Sequence, residues 1–135
     1  PGLNDSDKEL HALASWIVKN LGAEVPLHFS AFHPAHKLQD VPSTPPSTLF
    51  KAREIAIASG IRYCYTGNIE DPEGESTFCH ACGEKLIGRN WYELSGWNLK
   101  DGKCKFCGAF CPGVFESTPG AWGSKRLPVR LSDFA

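Results

Sequence analysis

The N-terminal part of the chain carries apolar residues at helical spacing. Leu10, Leu13, Ala14, Ile17 and Leu21 recur at helical spacing, as the buried face of an α-helix requires. Ser6 and Glu9 form a capping box ahead of this run. Gly22 suits the residue that follows a last helical turn. The pattern predicts a helix that begins after Ser6 and ends before Gly22.

Two apolar runs and a second helical pattern follow. Residues 25–32 predict an extended strand, and a proline-rich loop comes after it. Thr44 and Pro45 predict the start of a second helix, with Pro at the first helical position and an end near Gly60. Residues 61–66 predict a second strand. The order helix, strand, helix, strand is typical of a parallel sheet covered by helices.

Two parallel strands do not make a complete fold, because their outer edges stay unpaired and too little apolar area is buried. The chain also contains no methionine. We therefore expect an α/β fold in which residues 1–68 are the last βα units of a partial parallel β/α barrel whose earlier strands precede Pro1. The expected organisation continues with a polar linker at residues 69–76, a small zinc ribbon at 77–115 and a loosely structured tail at 116–135.

The phrase CxxCG occurs twice in the predicted ribbon. Its cysteines are Cys79 and Cys82 in the first copy and Cys104 and Cys107 in the second. Zn²⁺ prefers four thiolates at tetrahedral corners, and a CxxC turn supplies two of them. Glycine after the second cysteine lets the chain leave the turn with positive φ. Two such phrases, with 21 residues between Cys82 and Cys104, predict a structural Cys₄ zinc site.

The cysteines also allow other interpretations. A disulfide pair would need an oxidising compartment, whereas four metal ligands and two thiols suit a reducing cytoplasm. A redox CxxC of the thioredoxin type does not occur twice with trailing glycines. An iron–sulfur cluster is the rival, because Cys104, Cys107 and Cys111 read CxxCxxxC. That arrangement would leave Cys79 and Cys82 without a role, so we interpret Cys111 as a small buried apolar residue and Cys64 as a strand residue.

Composition gives no general attraction to nucleic acid or membrane. The 135 residues are 41% hydrophobic, with net charge −1, and no apolar run has the length of a membrane span. Residues 77–112 hold five basic and three acidic side chains, a balance of +2. The ribbon also contains Trp91, Tyr92, Trp97 and Phe106, which we expect to build its core and its contact with the α/β part. Nucleic-acid binding is therefore not expected.

Several segments together resemble a known family. They are Pro1-Gly2-Leu3-Asn4-Asp5, Pro26 to Pro34 (PLHFSAFHP), Thr44-Pro45-Pro46, Tyr65-Thr66-Gly67-Asn68, the two CxxCG phrases and Pro112-Gly113-Val114. In order and spacing they resemble the radical S-adenosylmethionine (SAM) enzyme of the AmmeMemoRadiSam system, which is similar to pyruvate formate-lyase activase. The resemblance extends from residue 1 to about residue 115. The cluster-binding CxxxCxxC of this family is absent from the chain, and CxxCxxxC at 104–111 runs in the opposite order.

The resemblance implies an activity for a longer protein. It implies a cytoplasmic enzyme in which a [4Fe–4S] cluster reductively cleaves SAM to a radical that abstracts hydrogen from a substrate. It also implies that the missing N-terminal barrel part is a partner of this chain, with Memo-like and AMMECR-like proteins as companions. The alternative is a non-catalytic zinc-ribbon module that binds a protein or a nucleic acid. An upstream CxxxCxxC would separate the two.

The strand at 25–32 has two different faces. Leu27, Phe29 and Ala31 alternate with His28, Ser30 and Phe32. The apolar set should pack beneath the helices and leave His28 and Ser30 toward the barrel interior. The resemblance implies that these two residues lie near SAM or substrate, and that Asn4 does as well. A core histidine and an Asx turn explain His28 and Asn4 equally well, so both interpretations remain open.

Overall fold

A computed structural model describes residues 1–120 and 130–134 of the chain. It is a mixed α/β structure with two helices, three small sheets and a short 3₁₀ helix near the C-terminus. The helices are α1 (Asp7–Asn20) and α2 (Pro46–Ala58); the strands are β1 (Leu27–Ser30), β2 (Cys64–Gly67), β3 (Thr77–Phe78), β4 (Lys85–Asn90), β5 (Glu93–Trp97), β6 (Leu99–Lys100) and β7 (Lys103–Cys104); the 3₁₀ helix is Leu131–Phe134. No helix among these residues is both long enough and apolar enough to cross a membrane.

The Ser6 side chain caps the start of α1, and the Glu9 carboxylate bonds to the Ser6 hydroxyl instead of the Ser6 backbone N–H. The Ser6 hydroxyl accepts a hydrogen bond from the Glu9 backbone N–H at 3.4 Å and donates one to the Glu9 carboxylate at 2.6 Å. The helix buries Leu10, Ala14 and Ile17 of the predicted apolar stripe, whereas Leu13 and Leu21 are 42% and 55% exposed. The predicted helix is confirmed, and its buried side is narrower than the predicted stripe.

The two apolar runs pair as parallel strands. Leu27 lies opposite Cys64 and Phe29 opposite Thr66. The strands are shorter than the apolar runs that predicted them. Within the described residues no other strand joins this sheet, so the observed element is an open parallel pair.

The helices cover one face of the parallel pair. Leu27 and Phe29 pack against a buried cluster formed by Ala14, Ile17, Ala56, Ile61 and Cys64. His28 and Ser30 are exposed on the other face. The predicted division of β1 into an apolar and a polar face is therefore confirmed.

The start of α2 differs from the prediction by one residue. Pro45 is the N-cap and Pro46 is the first helical residue. The Thr44 hydroxyl does not cap the helix and instead accepts a hydrogen bond from the Phe32 N–H at 3.0 Å, while the Thr44 N–H donates to the Phe32 carbonyl. The Thr44 hydroxyl is therefore used by Phe32, at the end of the first apolar run, and not by the start of the helix.

The ribbon consists of an antiparallel sheet in the order β3-β4-β5 and the small β6–β7 pair. Its core contains Leu86, Ile87 and Leu99 together with the side chains of Cys79, Cys104 and Cys111. Tyr63 is buried in the same cluster and Tyr65 packs against it. Because both tyrosines come from the α/β part, the ribbon and the parallel pair share one core.

The expectation for the ribbon aromatics is wrong for three of them. Trp91, Tyr92 and Phe106 are 59%, 74% and 58% exposed, and Trp97 alone packs against the core. Trp91 and Tyr92 occupy the two-residue loop between β4 and β5, which projects them away from the small core. Part of the predicted tail, residues 121–129 and 135, lies outside the described residues.

Candidate functional site

The four cysteines of the two CxxCG phrases converge on one point. Their Sγ atoms all lie within 4.8 Å of one another. Cys79 Sγ lies 3.6 Å from Cys107 Sγ, and Cys82 Sγ lies 3.7 Å from Cys104 Sγ. A tetrahedral site with metal–sulfur bonds of about 2.3 Å has sulfur–sulfur edges of about 3.8 Å. The side chains are therefore arranged as a metal centre requires.

The backbone builds each half of the centre in the same way. The N–H of Gly83 donates to the Cys79 carbonyl at 2.9 Å, and the N–H of Gly108 donates to the Cys104 carbonyl at 2.9 Å. Both glycines have φ of 76°. A side chain at this φ would be strained, which explains why glycine follows the second cysteine in both phrases.

The thiols do not ionise equally. Burial disfavours the Cys104 thiolate, but hydrogen bonds from the backbone N–H groups of Cys107 and Phe106 and from neighbouring thiols outweigh it and lower its pKa to about 7. The Glu84 N–H favours the Cys82 thiolate, yet burial and the surrounding sulfurs raise its pKa to about 12. The Cys104 thiolate therefore forms readily, whereas the surrounding sulfurs oppose ionisation of Cys82. The charge of a divalent cation would offset the repulsion between thiolates, so its binding would displace the remaining protons.

The other two cysteines stay outside the centre. Cys111 is 3% exposed in the ribbon core, and Cys64 is 4% exposed beneath the helices. Burial raises the pKa of the Cys64 thiol to about 11. Both positions agree with their interpretation as small buried residues. Among the described residues, the group that could hold a metal ion is Cys79, Cys82, Cys104 and Cys107.

The three residues considered for cofactor contact line one cavity. Asn4, His28 and Ser30 all border a cavity of about 470 Å³ that is also lined by Leu10 of α1 and Leu49 of α2. Asn4 precedes α1, so the segment before the helix, the strand β1 and both helices meet there. His28 is exposed and stacks on Tyr65 with ring centroids 4.8 Å apart. In this chain it is not a histidine buried in the core.

A second cavity lies between the ribbon and the face of the parallel pair that is turned away from the helices. It has a volume of about 660 Å³ and is bordered by His28 and Tyr65 from the sheet and by Arg89, Trp91 and Tyr92 from the ribbon. Sequence analysis did not assign Arg89 to any site. The available signal was the position of Arg89, Trp91 and Tyr92 around one predicted turn, but nothing in the sequence shows that this turn reaches the parallel strands.

The sequence is similar to that of a curated protein from an archaeon. The uncharacterized protein MJ0808 of Methanocaldococcus jannaschii is 44% identical over 110 residues, which amount to 80% of this chain and 33% of that protein. The chain therefore spans about a third of the length of this relative. No protein-family model matches the sequence, and no solved structure matches it.

Proposed function

We propose that this chain is the C-terminal part of a cytoplasmic radical SAM enzyme of the AmmeMemoRadiSam type, in which the parallel pair belongs to a β/α barrel and the ribbon holds a structural zinc ion. The observation that carries the proposal is that His28 and Ser30 are exposed on the face of β1 opposite the helices. This is the face that a β/α barrel turns toward its interior. The motif resemblance supplies the reaction class.

The open parallel pair agrees with a missing barrel part. In the described chain β1 has a strand partner on one side only. The relative from M. jannaschii is about three times as long as the matched region. A longer protein therefore has room for further strands and for the CxxxCxxC that would hold a [4Fe–4S] cluster. Memo-like and AMMECR-like proteins are proposed as companions on the resemblance alone.

Zinc is the metal that we propose for the four-cysteine centre. Tetrahedral thiolate sites hold zinc or iron, and geometry alone does not select between them. Four protein ligands leave no open coordination position, as in structural zinc sites. In this arrangement the metal stabilises the fold of the ribbon and takes no part in the reaction.

Chemistry in the intact enzyme is divided between the missing part and this chain. A [4Fe–4S] cluster, held by a CxxxCxxC outside this chain, would supply the electron for reductive cleavage of SAM and so the means to abstract hydrogen from a substrate. The residues of this chain bind and orient: His28 and Ser30 present polar groups from β1, and Asn4 presents a side-chain amide from the start of α1.

The test is 5′-deoxyadenosine release by the full-length protein. His28→Ala should lower release and leave zinc and iron contents unchanged, whereas the control His11→Ala, on the exposed side of α1, should leave release unchanged. Cys104→Ser should lower folded yield while the surviving protein still cleaves SAM. Normal release by His28→Ala, or a full-length protein without iron, would contradict the proposal.

The exposed rings of Trp91, Tyr92 and Phe106 favour a second candidate, a non-catalytic ribbon that binds single-stranded nucleic acid or a protein. Aromatic rings stack on bases of any sequence. The charge of +2 over residues 77–112 gives only weak attraction to a phosphate backbone. Electrophoretic mobility shifts with single-stranded oligonucleotides would distinguish this candidate, since its affinity should fall steeply with added salt.

A further inference from the structure

We propose that the cavity between the parallel pair and the ribbon binds a small planar anion, meaning an aromatic ring that carries a phosphate or carboxylate group. The cavity is bordered by His28 and Tyr65 on the sheet side and by Arg89, Trp91 and Tyr92 on the ribbon side. Neither part of the chain forms it alone. This proposal does not depend on radical chemistry, and it is tested by binding.

Arg89 is held in place at the floor of the cavity. Its guanidinium Nη1 donates to the Thr77 hydroxyl at 2.7 Å and to the Glu75 carbonyl at 3.2 Å. Its Cζ atom lies 5.7 Å from the centre of the Tyr65 ring. A guanidinium is a planar fork with five N–H donors, and these contacts use one of its three nitrogens. The fixed charge therefore keeps donors for a phosphate or carboxylate.

The sheet side is tied to the same group. The Tyr65 hydroxyl lies 2.9 Å from the Thr77 hydroxyl, which also accepts a hydrogen bond from Arg89. The Tyr65 ring stacks on the His28 ring. His28, Tyr65 and Arg89 thus form a connected series from β1 to β4. A charged group and an imidazole border the cavity before any ligand enters it, which reduces the entropy lost on binding.

The rim supplies an aromatic surface. Trp91 is 59% exposed and has φ of 54°, in the left-handed region that bulky side chains rarely adopt. Two-residue hairpin loops usually place glycine at a position of positive φ. The backbone of Trp91 is held by a hydrogen bond from its N–H to the Glu75 carboxylate at 2.7 Å. An indole kept exposed in a strained backbone is typical of a residue with a role in binding.

Charge selects the ligand class. Among the described residues that border the cavity, Arg89 supplies the permanent positive charge. The bordering acidic residue, Glu75, has its carboxylate engaged by the Trp91 N–H. An anionic group near Arg89 with a ring against Trp91 satisfies both features at once. A simple inorganic anion would leave the indole exposed, and an uncharged ring would leave the guanidinium without a partner.

The probes are AMP, adenosine and inorganic phosphate, titrated into the metal-loaded chain by calorimetry. AMP carries both ring and anion, so it should bind at least about tenfold more tightly than either of the other two. Equal affinity for AMP and adenosine would overturn the proposal, as would equal affinity for AMP and phosphate. A single-stranded oligonucleotide that binds far more tightly than AMP would overturn it in favour of a nucleic-acid surface.

Variants locate the site. Trp91→Gly removes the ring and suits the positive φ, so the hairpin should fold, and AMP affinity should fall about tenfold. Arg89→Lys keeps the charge but not the planar fork, and should weaken AMP while leaving adenosine unchanged. The matched controls are Trp16→Ala, an exposed tryptophan on α1, and Arg62→Lys, which pairs with Glu24 away from the cavity. Unchanged AMP binding by a folded Trp91→Gly protein would refute the site.

The binding site and the proposed activity are tested separately. Normal SAM cleavage by Trp91→Gly in the full-length protein would leave the proposed activity standing even if AMP binding is unchanged.

Discussion

The Sγ atoms of Cys79 and Cys107 lie 3.6 Å apart although 28 positions separate these residues in the chain. Each comes from a different CxxCG phrase, so the contact closes the ribbon on itself. The β4–β5 hairpin and the β6–β7 pair lie between them. Metal binding at this point therefore joins the two ends of the ribbon, and loss of the metal should destabilise the whole ribbon.

Removal of the metal should unfold the ribbon. Structural zinc in small peptides contributes about 10–16 kcal/mol of apparent binding free energy at neutral pH, more than a small apolar core supplies. We expect one zinc per chain by elemental analysis, and loss of ribbon amide dispersion in NMR spectra after chelation. Cys82→Ser should lose the metal, whereas Cys111→Ala should retain it. Stoichiometric iron and sulfide with no zinc would contradict the assignment.

The pairing of β4 with β5 should be disrupted by a side chain at one of its two paired glycines. Gly88 lies opposite Gly96, and a Cβ atom on Gly88 would collide with the Ser95 hydroxyl and approach the Gly96 nitrogen to 3.3 Å. A Cβ atom on Gly96 would meet nothing closer than 3.8 Å. Gly88→Ala should therefore cost about 1–3 kcal/mol of unfolding free energy. Denaturant unfolding with metal present measures it, with Gly96→Ala as the control; equal losses in both variants would show that the packing argument is wrong.

The ribbon core should depend on Leu86. Its side chain is 1% exposed and packs with Cys79, Cys104 and Leu99, whereas Leu94 on the neighbouring strand is 38% exposed. Leu86→Ala should lower the free energy of unfolding by about 2–5 kcal/mol, because it leaves a cavity beside the metal ligands. Leu94→Ala should cost clearly less. Leu86→Ala should also weaken metal affinity, measured by competition with a chelator, whereas Leu94→Ala should not.

The sequence predicted what local pattern controls. The stripe of Leu10, Ala14 and Ile17 sets the buried side of α1, and the alternation in β1 sets which side chains face the helices. The metal ligands were predictable for the same reason, since CxxCG encodes each half of the centre through its own backbone turn. These features depend on residues close together in the chain.

Features that depend on distant residues were not predictable. Thr44 looks like a helix cap, but the Phe32 backbone competes for its hydroxyl. Trp91 and Tyr92 look like core residues by composition, yet the hairpin places them in its loop. Arg89 became a candidate only when the fold brought Tyr65 beneath it. Each case is decided by a contact between segments that no local pattern encodes.

The thiol of Cys64 should make stability fall at high pH. Burial raises its pKa from 9.0 to about 11. Above about pH 9 the unfolded chain loses this proton while the folded chain keeps it, so the unfolded state is favoured as pH rises toward 11. The contribution is about 1.4 kcal/mol per pH unit across that interval. Denaturant unfolding at about pH 8 and about pH 10.5 should therefore show a larger loss of unfolding free energy in the unmodified chain than in Cys64→Ala, whose buried methyl group does not titrate.

In the same pH range the folded Cys64 thiol should react slowly with iodoacetamide. Equal losses of unfolding free energy in the two proteins, or rapid alkylation of Cys64 at about pH 8, would show that the thiol is not protected by the helices.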